Sequence, residues 1–475
     1  MSQLIKNSFF YTLGNVLPKV ASFFLLPLYT SYLSTEEYGI INSLLALNGV
    51  LVIFFTFSLS RSIFRLIYDY NEKEREEFLG TLAVTIFLLA SLATILLFVG
   101  SPIVSLIYSS ISFYPYFALA IGASFFSVFS NIPLAYLQVK EKAKNYVSLS
   151  LLHFIVTNLG ITFFVVGLEA GAVGYLQGYL LGEVVMALIY VGVTLRFIRL
   201  TFKVEYIKVA LAFSLPMIPA NLSAWVMNLS DRVFLERFTD LQSVGVYSLG
   251  YKIAGLVLIF SMAFKKAFDP YFYKLVNTSD DPEKVERKIT QLSTAFMSVV
   301  IFGGFVVSIL GEDVISLLFP SEYSRAHIII PIVSLGFVAS QMSAFYNLSF
   351  YQMKNTKIVM YISIFSAVIN LALNYVLITR FGIIGAAWST FITYVFDICV
   401  KIILSRKFYP IKMKLWFIIL FTVLMSSIFF LSSNFLSFDV KLIGLGLKSL
   451  IILAITVFVY FKYLKPYLPR ISKTG

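Results

Sequence analysis

The sequence predicts an all-α polytopic membrane protein with about fourteen transmembrane helices. Three observations carry that prediction. Apolar residues fill 59% of the 475 positions and charged residues only 13%, against roughly 45–50% and about 25% in soluble domains. The apolar residues fall in long continuous runs, and a spanning helix needs about 20 of them. The 37 Lys and Arg residues gather at alternate ends of successive runs. Forty-eight Phe and 29 Tyr also exclude a disordered chain, which lacks aromatics. Cys399, standing alone, excludes a disulfide framework and a Cys-based zinc site. His153 and His327 leave little room for a His-rich metal site.

In order, the runs lie at 7–33, 39–62, 79–100, 114–138, 147–168, 171–195, 208–235, 244–266, 290–310, 327–352, 357–378, 383–405, 414–432 and 442–463. Each is expected to be a helix, because a chain in lipid must satisfy its own backbone groups. They are too continuous for the alternating strands of a membrane barrel. The first run follows a lone cation, Lys6, and precedes no small-residue cleavage site. It therefore reads as a spanning segment rather than a signal peptide, and Pro18 and Pro27 should kink it. The stretch 267–289, which contains SDDPEKVERK, reads as a solvated linker. Its counterpart between the second and third runs is YNEKEREEF (Tyr70–Phe78).

An N-terminus on the inside leaves only Arg237, Arg325, Arg380 and Lys441 outside. Lys19, Arg232, Lys252 and Lys448 fall within runs, and every other Lys and Arg lies on the inner side. This bias predicts that both termini are cytoplasmic. It also accounts for the net charge of +13 without nucleic acid.

The chain repeats itself. YLSTEEYGIINSLLA (Tyr32–Ala46) parallels FTDLQSVGVYSLGYK (Phe238–Lys252), with Gly39 opposite Gly245. PIVSLIY (Pro102–Tyr108) parallels DVISLLF (Asp313–Phe319), and LQVKEKAK (Leu137–Lys144) parallels YQMKNTK (Tyr351–Lys357). GAVGY (Gly171–Tyr175) parallels GIIGA (Gly382–Ala386). Six runs per repeat return the chain to the same side, so the two halves should be parallel, an arrangement found in transporters. The expected division is a six-helix lobe at 1–199, a second at 200–408, and a two-helix extension at 409–475.

At Ser214–Phe238 (SLPMIPANLSAWVMNLSDRVFLERF), Val244–Ala254 (VGVYSLGYKIA) and Asn7–Gly39 (NSFFYTLGNVLPKVASFFLLPLYTSYLSTEEYG), the chain resembles the bacterial polysaccharide flippases of the Wzx type. These belong to the superfamily that includes the lipid II flippase and the multidrug extruders. The resemblance implies two lobes in a V around a central cavity that opens to each side in turn. It implies an undecaprenyl-pyrophosphate-linked oligosaccharide as substrate, moved across the cytoplasmic membrane for O-antigen, capsule or other surface polysaccharide. It also implies membrane lipid as a partner, together with a polysaccharide polymerase and its chain-length machinery. The runner-up is a multidrug or cation antiporter of the same superfamily; a lipid II or spore-wall precursor flippase is a third reading.

A charge at mid-bilayer costs about 2.5–3.5 kcal/mol on insertion scales, so each needs a reason. Lys19, Arg61, Arg65, Arg232 and Lys252 are the candidate cationic substrate contacts. Each has an ordinary alternative. Lys19 could reach the inner interface from a tilted helix, and Lys252 could snorkel outward. Arg61 and Arg65 could be inner-side anchors, and Arg232 could pair with Glu236 at i, i+4. Asp231, Glu183 and Asp397 are candidate ion-coupling or charge-pairing carboxylates, Glu183 and Asp397 in roughly corresponding places of the two repeats. His153 and His327 read as packing or interface residues, and Lys448 as an interfacial snorkeller. The sequence contains no GxxxxGK[ST], HExxH or CxxC, so neither P-loop ATP hydrolysis nor a zinc protease fits. No catalytic residue, metal or cofactor is expected, apart from coupling to H+ or Na+.

Overall fold

The computed structural model describes residues 2–435 except 109, 279–280, 354 and 409–410, and beyond them 448–450, 452–453 and 455. The described residues are helical, with no strand among them. The first six helices are α1 (Ser2–Thr30), α2 (Thr35–Thr56), α3 (Glu72–Val99), α4 (Phe113–Val139), α5 (Ala143–Gly167) and α6 (Gly171–Thr194). Then come α7 (Val204–Phe238), α8 (241–278, interrupted at Gly255), α9 (Pro282–Leu318) and α10 (Ser321–Gln352). One long helical stretch, Thr356–Ser405, is bent at Gly382, whose φ is 55°. It supplies α11 (356–381) and α12 (383–405), because only glycine adopts that backbone without strain. The last helix is α13 (Leu415–Phe435). Among the described residues ten helical stretches are long and apolar enough to cross a membrane, with shorter apolar cores in α1 and α13. Thirteen of the expected runs are thereby helices. The fourteenth, 442–463, lies mostly outside the described residues, as does Lys441.

The helices outrun the apolar runs at the cation-rich end. Helix α3 begins at Glu72, where Asn71 and Glu74 form a capping box. Helix α8 continues to Thr278, and α9 begins at Pro282 with Asp281 accepting from the Lys284 N–H at 3.0 Å. The stretch 267–289 is therefore mostly helix rather than an open linker. Hydropathy ends where water begins, but a capped helix does not.

Two compact units emerge. The first comprises Met1–Ser248 with Leu371–Ile383, the second Leu249–Asn370 with Ile384–Gly475. Within the first unit, α5 packs on α6, and α7 packs on α2. The Trp225 indole N–H donates to the Ala46 carbonyl at 2.7 Å across that second contact. Beside it, the starts of α2 and α8 meet at the two glycines that the repeat aligns. A Cβ on Gly39 would stand 1.8 Å from the Leu241 carbonyl oxygen, and one on Gly245 would stand 1.9 Å from that of Thr35. Thr35 and Leu241 are repeat partners in the same register as the glycines, so the contact is reciprocal. The connector after α6 is tied to the start of α3: Arg199 N donates to the Glu76 carbonyl at 3.0 Å, and Lys203 Nζ donates to Glu77 at 2.5 Å. That hydrogen bond raises the Lys203 pKa above its usual value.

Within the second unit, α9 packs on both α10 and α13. Phe268, Phe296 and Phe345 form an aromatic cluster there. Lys448 lies 2.7 Å from Asp313, so this residue of the extension is ion-paired to α9 rather than snorkelling.

Candidate functional site

Three buried polar clusters stand out. The first is at one end of α7. Asp231 and Arg232 are almost wholly buried, and Arg232 Nη1 lies 2.6 Å from Asp231 Oδ1. The guanidinium also donates to the Asn228 carbonyl at 2.7 Å. Tyr247 on α8 donates to the other carboxylate oxygen at 2.5 Å, and its ring centroid lies 5.4 Å from the Arg232 guanidinium carbon. Arg232 thus pairs with its sequence neighbour, while buried Glu236 accepts from the Ser110 N–H at 2.8 Å. Charge-assisted hydrogen bonds of this kind hold an arginine in hydrocarbon without a free charge. Asn374 of α11 reaches the same region, donating to Ser230 at 3.1 Å.

The second cluster surrounds Glu183 on α6. His153 Nε2 lies 3.1 Å from Glu183 Oε1, and His153 Nδ1 lies 3.2 Å from the Tyr190 hydroxyl. Tyr179, one turn before Glu183 on α6, accepts from Asn48 at 3.3 Å. Glu183, His153 and Tyr190 thus form a hydrogen-bonded chain between α6 and α5. His153, read from sequence as a packing or interface residue, is thus hydrogen-bonded at the contact of α5 with α6. One helical turn of α6 brings Tyr179, Glu183 and, further on, Tyr190 onto a face that meets His153.

The third cluster belongs to the second unit. Asp397 and Lys401 are buried on α12, one turn apart, with 2.8 Å between Nζ and Oδ2. Ser343 of α10 donates to the carboxylate and accepts from Lys401 at 2.8 Å. Ser366 of α11 donates to the other carboxylate oxygen at 3.1 Å. Lys401, an inner-side cation by its place in the sequence, is buried beside Asp397. The i, i+4 spacing was the signal that could have revealed it. A turn away, Asn370 donates to Thr393 at 3.1 Å, within a buried group that includes Ser389.

The remaining candidates lie differently. Lys19 is exposed on α1 beside Pro18. Helix α2 ends at Phe57 and Ser58, both in the left-handed region. A short helix, Ser60–Leu66, then carries exposed Arg61 and Arg65 one turn apart. Arg65 also pairs with Asp69 at 2.7 Å. Lys252 is half-buried on α8, at the start of the second unit.

Against this geometry the comparisons are specific. The profile described as polysaccharide biosynthesis protein matches residues 4–276, more than half of the chain. The chain belongs to that family. A second profile, MatE, matches residues 216–376. A protein of the Lsg locus of Haemophilus influenzae is 23% identical over 78% of this chain and 90% of its own length. A probable low-salt glycan biosynthesis flippase of Haloferax volcanii, Agl15, is 21% identical over 41% of each chain. Among solved structures, the lipid II flippase MurJ in an inward closed conformation is 14% identical with a TM-score of 0.75. It covers 95% of this chain and 98% of its own. At that identity the likeness establishes the fold alone: an all-α, multi-pass membrane architecture.

Proposed function

We propose that this protein flips an undecaprenyl-pyrophosphate-linked oligosaccharide repeat unit from the inner to the outer leaflet of the bacterial cytoplasmic membrane. It supplies surface polysaccharide synthesis and works by alternating access. The observation that carries it is the family match across the first repeat and into the second. The flippase named in Haloferax volcanii and the MurJ-like fold support the same reading. A glycan carries many hydroxyls, each costing several kcal/mol if it enters hydrocarbon unsatisfied, so unassisted flipping is very slow. A polar path removes that cost while the lipid tail stays in the bilayer.

In this reading Lys19, Arg61 and Arg65 meet the pyrophosphate, and Lys252 lies on its route. Arg232 takes part through its pairing with Asp231. Both termini face the cytoplasm, in keeping with the distribution of Lys and Arg. Outward movement of negative charge is favoured by about 2.3 kcal/mol per charge per 100 mV of inside-negative potential. Coupling to H+ or Na+ would act through Glu183, Asp397 or Asp231. The polymerase and chain-length machinery would receive the flipped unit. The domain reading also stands as part of the proposal: lobes at 1–199 and 200–408, and an extension at 409–475.

The test is deletion of the gene followed by extraction of lipids. Accumulation of a lipid-pyrophosphate oligosaccharide, with loss of surface polysaccharide, supports the proposal when wild type restores export and Lys19→Ala does not. Unchanged lipid pools with new sensitivity to cationic drugs would overturn it in favour of the antiporter reading that the MatE match keeps in view.

A further inference from the structure

The cation-rich end of the first unit carries a cleft that none of the three buried clusters uses. Its volume is about 500 Å3. One part is a flat aromatic pair, with the rings of Tyr136 (α4) and Phe197 (just past α6) stacked 3.8 Å apart and 7° from parallel. Around it stand Lys142, Asn145 and Ser148 at the start of α5, and Arg196 just past α6. All four are exposed. Among the described residues, no protein group takes a hydrogen bond or ion pair from any of their side chains. Other cations at this end do find partners: Lys203 meets Glu77, and Arg65 meets Asp69. Two unpaired cations with amide and hydroxyl donors beside them form an acceptor-hungry cleft that suits a phosphate oxyanion.

The same helix face states what is attached to that anion. Along α5, Ser148 is followed at i+4, i+7 and i+11 by Leu152, Ile155 and Leu159, which share its face. These are 39%, 50% and 65% exposed, so the stripe is uncovered by protein. The polar cleft therefore runs into an apolar track pointing into the bilayer. A free inorganic anion has no use for such a track, whereas a lipid fits both parts. The stacked aromatic rings that line the cleft suit the interfacial level, where ring edges and polar groups coexist.

We propose that this cleft holds the phosphate of an anionic phospholipid of the cytoplasmic leaflet, with one acyl chain laid along Leu152, Ile155 and Leu159. The site is independent of the flippase reading and of the substrate contacts named above. A lipid held here is a fixed neighbour of the first unit rather than cargo.

The test uses the full chain purified in a neutral detergent. Native mass spectrometry follows titration with phosphatidylglycerol, phosphatidylcholine or inorganic phosphate. The wild type should retain one phosphatidylglycerol at least tenfold more tightly than phosphatidylcholine. The double variant Lys142→Gln/Arg196→Gln should weaken that retention by roughly ten- to thirtyfold, since each cation near an anionic surface contributes on the order of a factor of five. Ser148→Trp, which fills the cleft and keeps both charges, should weaken it too. The control Lys73→Gln/Lys208→Gln removes two cations at the same end outside the cleft and should leave it unchanged. Equal losses in the cleft and control variants would overturn the site in favour of general surface attraction. Displacement of the lipid by millimolar inorganic phosphate would overturn the lipid assignment. No preference for phosphatidylglycerol in the wild type would sink the proposal outright.

Discussion

Gly39→Ala tests the internal symmetry most directly. The added methyl carbon would lie 1.8 Å from the Leu241 carbonyl oxygen, so α2 and α8 must separate by about 1 Å or more to reach ordinary contact. Overpacking typically costs about 1–3 kcal/mol. Here the obstacle is backbone, which cannot rotate aside as a side chain can, so the upper end applies. About 3 kcal/mol corresponds to roughly a 150-fold fall in the folded-to-unfolded ratio. Gly245→Ala should cost a similar amount, because its methyl meets the Thr35 carbonyl at 1.9 Å. Gly192→Ala is the control: nothing lies within 4 Å of its Cβ position. There the alanine should be neutral or gain up to about 1 kcal/mol of helix propensity. Unfolding by sodium dodecyl sulfate in mixed micelles, followed by tryptophan emission, gives the ranking. In the double variant Gly39→Ala/Gly245→Ala the second methyl should cost less than the first, since one separation relieves both clashes. Effects that add within about 0.5 kcal/mol would show two unrelated sites. A Gly39→Ala protein as stable as wild type would refute the close crossing itself.

Asp231→Asn should destabilise by about 3–5 kcal/mol in the same assay, because it leaves buried Arg232 without its counter-charge. Adding Arg232→Met should recover most of that loss. Lys401→Met should likewise be worse than Lys401→Met/Asp397→Asn; equal stability of the two would show that the ion pair is not what holds α12 in place. Lys203→Gln should cost about 1 kcal/mol, because the lysine is largely exposed although its partner Glu77 is buried. Gly80→Ala should cost more, because its methyl would meet the Arg199 carbonyl at 1.9 Å. If Glu183 carries a coupling proton, Glu183→Gln should flip substrate at one rate with or without a pH gradient across a proteoliposome, where wild type responds. A gradient response that survives the substitution would remove Glu183 from that role.

Much of the fold was legible because the bilayer imposes a simple rule. Runs of apolar residues must become helices, so thirteen of the fourteen runs appear where hydropathy placed them. Gly39 and Gly245 were aligned by sequence alone, and the structure makes them a reciprocal contact. Helix ends were less legible. SDDPEKVERK was read as linker because it is charged, yet Asp281 and Pro282 are a helix start. Cap chemistry outranks polarity at that position.

The candidate sites divide along the same line. Sequence pointed to Asp231, Arg232, Glu183 and Asp397, because ionisable residues inside apolar runs are costly and stand out. Their partners did not stand out. His153 reaches Glu183, and Ser343 and Ser366 reach Asp397, only when separate helices pack together. Lys401 and Lys142 look alike in sequence, as cations at the inner ends of apolar runs. Tertiary packing buries the first against Asp397 and leaves the second open in a cleft. Composition and charge bias thus determined the membrane and the helices, because those follow from transfer of each residue between water and lipid, and matched segments of sequence revealed the repeat. Which charge meets which depends on distances between helices far apart in the chain, and packing alone sets those.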